Sequence, residues 1–271
     1  MPRWVWTLCF ALLPLPALAQ NPLVPPVPAS DDTATAPPQL LRAAPPSANA
    51  SAEELETRGD ILRAEKAYAD AIDYYRAALA KKESAALHNK SGIAQLLMLH
   101  YDKAKKEFER AIKRDPFYAE AYNNLGVVNY SQRDYKRAIR RYQKALELRE
   151  TSASFHSNLG TAYFVRKQYD KASAEYLRAL ELDPDIFERQ SATGVSARLP
   201  SPSERARFSY VIAKMYAKSG NADRCLLYLK RAMEAGYAGM NDVYQDEEFA
   251  QVRKDPRFTE LMASKPVAVS N

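Results

Sequence analysis

Three histidines (His88, His100, His156) and two cysteines (Cys9, Cys225) are the residues of this chain best suited to proton transfer, nucleophilic attack or metal ligation. Their spacing serves none of these chemistries. There is no H-E-x-x-H, C-x-x-C, G-x-S-x-G or phosphate-cradling glycine loop. His156 and Ser157 are adjacent, which on a helix turns them to different faces, so they are not read as a Ser–His nucleophile. A reactive thiol at Cys225 needs more positive surroundings than Arg224 alone provides. Glu53, Glu54, Glu56 and Asp60 form an acidic cluster, and Asp246, Glu247 and Glu248 another. Carboxylates at the opening of a helix offset its dipole, which is the plainer reading; metal binding is the sharper one. The chain is read as a non-enzyme with no catalytic residues, no cofactor and no metal.

Basic residues gather in two runs: Lys105, Lys106, Arg110, Lys113 and Arg114, then Lys136, Arg137, Arg140, Arg141 and Lys144. A solvated face is the default for such runs. Attraction to an anionic polymer, a lipid surface or an acidic partner is the alternative. No basic motif interleaved with aromatics is present, so nucleic acid is not expected.

The elements that must position these residues begin after a long N-terminal preamble. The chain has 271 residues and a formal charge of +6, with 46% hydrophobic and 27% charged residues, an ordinary globular balance. Residues 1–19 read as a secretory signal. Arg3 supplies the positive start, Trp4 to Leu15 a short apolar run, and Ala17-Leu18-Ala19 a cleavage site before Gln20. A retained membrane anchor is the rival reading, but the run is short for a bilayer. The expected mature chain is exported, periplasmic or secreted, and keeps Cys225 as its one thiol. Residues 20–50 carry Pro22, Pro25, Pro26, Pro28, Pro37, Pro38, Pro45 and Pro46, and are read as a disordered linker.

From Ser51 onward the apolar period becomes helical, and the pattern repeats. Gly92, Gly126 and Gly160 stand 34 residues apart. Each is followed at fixed offsets by an alanine (Ala104, Ala138, Ala172) and an aromatic (Phe108, Tyr142, Tyr176). Tyr101, Tyr135 and Tyr169 precede those alanines by three residues. Small residues at recurring positions let helix axes approach to roughly 8–10 Å. The reading is helix pairs over 52–84, 85–118, 119–152 and 153–186. An insertion at 187–205, a degenerate repeat at 206–239, a capping segment at 240–263 and a disordered tail at 264–271 follow. A rival register after Ile186 uses Gly194; the turn around Gly220 favours the first. Asp115-Pro116 and Asp183-Pro184 stop the second helices, whereas the 119–152 copy has Glu150 there and is expected to use Thr151 and Ser152 as caps. His88 and His156 take a large-residue packing position, His100 falls in a turn, and Cys225 stands where the repeat puts a small residue.

These residues resemble the tetratricopeptide repeat family, over about 52–239 and most specifically over 85–186. Asn124-Leu125-Gly126 and Asn158-Leu159-Gly160-x-x-Tyr163 match its first helix; Tyr169-x-x-Ala172-x-x-x-Tyr176-x-x-Ala179-Leu180 matches its second. The resemblance implies an all-α, right-handed α-solenoid of antiparallel helix hairpins, about four to five repeats plus capping helices, with a concave groove. By family register the candidate peptide-binding groove contains Asn89, Ile93 and Leu97 from one hairpin, and Asn123, Asn124, Val127 and Tyr130 from the next. The third contributes Asn158, Thr161 and Phe164. Asparagine donates and accepts, which suits an extended peptide backbone. Glu53, Glu56 and Asp60 lie toward one end, Arg207, Lys214 and Lys218 toward the other, a polarity that could orient a ligand. A family subclass clamps a terminal carboxylate with Lys, Arg and two Asn; here Asn124 matches, but Asn89, Ile93, Ser154 and Asn158 replace the others, so that clamp is absent. The expected function is an interaction scaffold in the bacterial envelope that holds a protein or peptide segment. Peripheral contact of the basic face with membrane or anionic polymer, and a homo-oligomer through the terminal segments, stay open beside it.

Overall fold

The structure is a computed structural model that describes residues 42–188, 199 and 201–264. The expected signal, the linker as far as residue 41, most of the 187–205 insertion and the tail past Ser264 lie outside the described residues. Within them all regular structure is helical. Four hairpins follow one another: α1 (Ala52–Ala64) with α2 (Tyr68–Lys81), α3 (Ala85–Leu97) with α4 (Tyr101–Arg114), α5 (Ala119–Ser131) with α6 (Tyr135–Leu148), and α7 (Ala153–Val165) with α8 (Tyr169–Leu182). A fifth pairs α9 (Pro202–Lys218) with α10 (Ala222–Glu234). Three short 3₁₀ turns and α11 (Pro256–Ala263) close the array. The architecture is an α-solenoid.

The spacing of glycine and aromatic has a direct steric cause. A Cβ built on Gly59, Gly92, Gly126 or Gly160 falls 2.5–2.6 Å from a ring carbon of Tyr75, Phe108, Tyr142 or Tyr176 respectively. The ring occupies the place of the missing side chain, so the two helices of each hairpin lock face to face. Ala71, Ala104, Ala138 and Ala172 are fully buried beside them. One hairpin cannot cover its own apolar face, and stacking provides the cover. Leu125, Leu159, Phe155 and Phe164 fill the seams.

Each hairpin turns through one residue in the left-handed region: Lys66, Leu99, Arg133 and Lys167, with φ of 58–65°, and Gly220 with φ 77°. The amide after each closes a six-residue loop, as in His100 N–H to Gln95 O (2.9 Å) and Asn221 N–H to Tyr216 O (2.9 Å). Gly220 therefore occupies the same turn position as the four earlier residues, in line with the preferred register. Ser51 and Glu54 form a reciprocal cap on α1, and Ser201 caps α9 ahead of Pro202.

Two expectations need correction. Ser152 precedes α7 but its side chain caps no amide; its hydroxyl meets that of Ser154 at 3.2 Å. The junction is held instead by His156, whose Nε2 donates to the carbonyl of Glu150 at 2.9 Å. The linker was expected to run to residue 50, yet residues 42–50 are laid against α2. Arg42 pairs with Asp70 and Asp73, Tyr74 donates to the carbonyl of Ala44 (2.9 Å), and Lys81 donates to that of Ala48 (2.7 Å). Proline forbids helix and sheet, but an extended strip can still dock through its carbonyls and one arginine.

The closing segment buries Val243, Phe249, Val252 and Phe258 in the same core cluster as α9 and α10. Arg253 donates to the carbonyls of Val243 (2.9 Å) and Asp246 (2.8 Å), which ties the 3₁₀ turns together.

Candidate functional site

The first helices of the hairpins make one row. Besides its hairpin partner, each of α1, α3 and α5 touches the next first helix, so the array closes up on that side and the row is concave. The ten groove candidates all lie on α3, α5 and α7 of this row. Nine of them are buried: Asn89, Ile93, Asn123, Asn124, Val127, Tyr130, Asn158, Thr161 and Phe164. Leu97, 38% exposed, is the candidate open to solvent.

The asparagines meet one another. Asn158 Nδ2 donates to Asn123 Oδ1 (2.9 Å), Asn123 Nδ2 to Asn124 Oδ1 (3.1 Å), and Asn124 Nδ2 to Asn89 Oδ1 (2.9 Å). This is an amide ladder across three repeats. Part of the hydrogen-bonding capacity that the sequence reading reserved for a peptide backbone is spent on joining α3, α5 and α7. A buried amide left without a partner costs about 1–3 kcal/mol, so the ladder fixes the spacing of the row.

The residue after each wedge glycine faces the ring of the second helix. Asp60 accepts from Tyr75 Oη at 2.8 Å, and Thr161 Oγ1 accepts from Tyr176 Oη at 3.3 Å. Ile93 stands at the Phe108 position, so no polar group arises there. Val127 stands at the Tyr142 position, and the Tyr142 hydroxyl is buried without a partner among the described residues. The Tyr130 hydroxyl and Glu120 Oε2, both on α5, are also buried without partners. Burial raises the ionisation of Tyr142 far above that of an ordinary phenol, so it stays a neutral donor.

Several sequence expectations resolve into pairs. His88 Nδ1 lies 2.7 Å from Glu107 Oε2, and His156 Nδ1 lies 2.6 Å from Glu175 Oε2. The offset from histidine to glutamate is the same in both copies, a signal the sequence carried but which packing alone did not suggest. His100 Nδ1 meets Gln95 Oε1 at 3.1 Å in its turn. Cys225 is fully buried, which pushes its thiol up to about 12. The acidic cluster is dispersed: Glu53 pairs with Lys82, Glu54 caps α1, and Glu56 and Asp60 share Lys90. No group of three or more metal-ligating side chains occurs among the described residues.

The expected polarity of the groove ends is largely neutralised from within. Lys90 covers Glu56 and Asp60. Lys214 pairs with Asp246 (3.0 Å) and Glu248 (3.2 Å) of the closing segment. Burial tends to lower its ionisation, but those two carboxylates outweigh it and hold Lys214 above an ordinary lysine. Arg207 lies over the ring of Tyr169 and donates to its hydroxyl at 2.8 Å.

Sequence reasoning missed an aromatic cluster at the α8–α9 joint. Phe208 packs edge-on against Phe164, Tyr176 and Phe187, with centroids 5.4–6.0 Å apart. Phe187 falls in the expected insertion, where the repeat register no longer flags apolar positions. On the second helices, Arg110, Arg137 and Lys144 pair with Glu107, Asp134 and Glu147. Arg114, Lys136 and Arg140 are exposed and carry no ion pair among the described residues.

Residues 90–153 and 130–185 match the family model of the tetratricopeptide repeat. A crystal structure of MamA protein is 22% identical, with 72% of this chain and 95% of that chain covered and a TM-score of 0.47. MamA from Desulfovibrio magneticus RS-1, residue 41 to the end, is 17% identical, with coverage of 68% and 94% and a TM-score of 0.48. YrrB, described as a TPR protein with an unusual peptide-binding site, is 20% identical, with coverage of 72% and 91% and a TM-score of 0.46. No curated protein matches the chain.

Proposed function

We propose that this chain is a non-catalytic interaction scaffold of the bacterial cell envelope that holds a protein or peptide segment along its first-helix row. The observation that carries the reading is the row itself. The first helices of three consecutive hairpins, α3, α5 and α7, are spaced by a buried amide ladder, with Leu97 exposed on the row. A rigid concave strip with fixed spacing suits an extended ligand, because little ordering remains to be done on binding. The secretory signal expected at 1–19 is the basis for the proposed envelope location.

The ladder dictates the test. Asn124→Ala with Asn158→Ala removes two rungs of the ladder, both bonded to Asn123, so a loss of binding there would be mixed with a loss of stability. Leu97→Asp touches an exposed side chain and separates the two. Affinity capture from envelope extract should lose its partners with Leu97→Asp while the melting temperature stays within about 2 °C. An unchanged partner profile with both variants would count heavily against the groove.

A second reading rests on exposed second-helix cations such as Arg114, Lys136 and Arg140, which carry no ion pair among the described residues. They suit peripheral contact with an anionic polymer or lipid surface. The same capture at low and high salt distinguishes the readings, since exposed charges are screened within about 10 Å at 0.1 M.

A further inference from the structure

The segment docked on α2 leads beyond the groove. α2 has two working faces. Ala71, Ile72, Tyr75 and Ala78 are buried in the first-repeat core. Asp70, Asp73, Tyr74 and Ala77 line a separate cleft of about 510 Å³ whose other wall is residues 42–46, Arg-Ala-Ala-Pro-Pro.

The contacts across it are those of a receptor with an extended ligand. The Arg42 guanidinium forks onto two carboxylates: Nε to Asp70 Oδ1, and Nη2 to Asp73 Oδ2 at 2.6 Å. The Ala43 N–H donates to Asp70 Oδ2 at 3.2 Å, and the Ala44 carbonyl accepts from Tyr74 Oη at 2.9 Å. Asp70 is only 8% exposed, and its side-chain hydrogen bonds among the described residues all go to the arm. With the arm seated, residues 42–43 thus both cover this carboxylate and supply its hydrogen-bond donors, a role that the repeat itself leaves to an incoming segment. The arm is joined to α1 by a turn that Lys81 holds at the Ala48 carbonyl (2.7 Å) and whose internal hydrogen bonds are long. Asn49 N–H to Ser47 Oγ and Ala50 N–H to Ser47 O are both 3.3 Å.

We propose that this face of α2 is a second docking surface, for an extended segment that carries an arginine, two small residues and a proline pair, and that residues 42–46 are its built-in occupant. A partner segment of the same chemistry takes the seat when the arm leaves. The carboxylates read the guanidinium, Tyr74 and Asp70 read the backbone, and the prolines keep the ligand extended. The arm competes at the millimolar effective concentration of a short tether, so the surface admits only a segment that binds well or arrives in quantity.

The test uses the full chain and a fluorescein-labelled peptide of residues 42–50, read by anisotropy. Arg42→Glu repels the arm and leaves the receptor intact. The peptide should bind that variant about ten-fold or more tighter than it binds the wild type. Adding Asp70→Asn and Asp73→Asn should abolish the gain. Arg42→Ala serves as a milder release if the melting curve of Arg42→Glu shows a folding defect. Equal binding to the wild type and the released variants overturns the proposal, as does binding that survives loss of both aspartates. A wild-type dimer that Arg42→Glu dissociates overturns it too, by assigning the seat to a second copy of the chain.

Discussion

A hydroxyl in the wrong company makes the clearest prediction at the scale of single residues. Tyr75, Tyr142 and Tyr176 fill the same wedge, but their partners differ. Tyr75 has Asp60 and Tyr176 has Thr161, while Tyr142 faces the register position of Val127 and has none. Removing a satisfied hydroxyl loses a bond; removing an orphan relieves a desolvated group. Tyr176→Phe is expected to cost about 0.5–1.5 kcal/mol, and Tyr142→Phe to be neutral or stabilising, as read from thermal melts. The glycine–ring spacing was legible in the sequence because it is a steric necessity repeated in every copy. The amide ladder was not. Each asparagine was placed correctly, but whether its amide turns to a ligand or to the next asparagine is a side-chain choice that periodicity does not encode.

Among the elements, the hairpin turns carry avoidable strain. Leu99 holds φ 60° with its side chain 67% exposed, so it contributes nothing to the core that would offset the cost. The position corresponding to it in the fifth hairpin is Gly220. Leu99→Gly is expected to stabilise by about 1 kcal/mol, and a rise of a few degrees in melting temperature would confirm it. The arm makes a second prediction. Burial raises the Asp70 carboxyl, but Arg42 and the Ala43 amide outweigh burial and hold it below the usual carboxylate range. A lowered folded value means that docking is fully stabilised above the ordinary value of roughly 4 and is lost as pH falls through the lower folded one. Asp73, Arg76 and Arg42 are the other charges at this face. The Ala43 amide resonance should therefore move to its free-chain position on acidification, and should already be there at neutral pH in Asp70→Asn. Proline content marked residues 42–50 as non-helical, which they are, but composition could not separate a docked strip from a loose one.

For the molecule as a whole, the export reading has an optical consequence. Both tryptophans, Trp4 and Trp6, lie in the apolar run before the expected cleavage site. Mature protein recovered from the envelope should show tyrosine emission without a tryptophan band; a tryptophan band would mean that residues 1–19 are retained. The array order was readable over 52–186 because each copy repeats the same small and aromatic positions. It blurred at 187–205 because the α8–α9 joint is sealed by Phe187 and Phe208, which no earlier copy predicts. That joint bears on mechanics. Rings wedged into glycine gaps make each of the first four hairpins a stiff plate, so bending among them enters where plates meet. The protein then behaves as a leaf spring. Between α3, α5 and α7 the leaves are riveted by amides, while among the described residues α8–α9 is held by edge-on aromatic contacts and the Arg207–Tyr169 hydrogen bond, with no amide ladder. Under load or on closing around a ligand, the curvature should change first at that aromatic hinge.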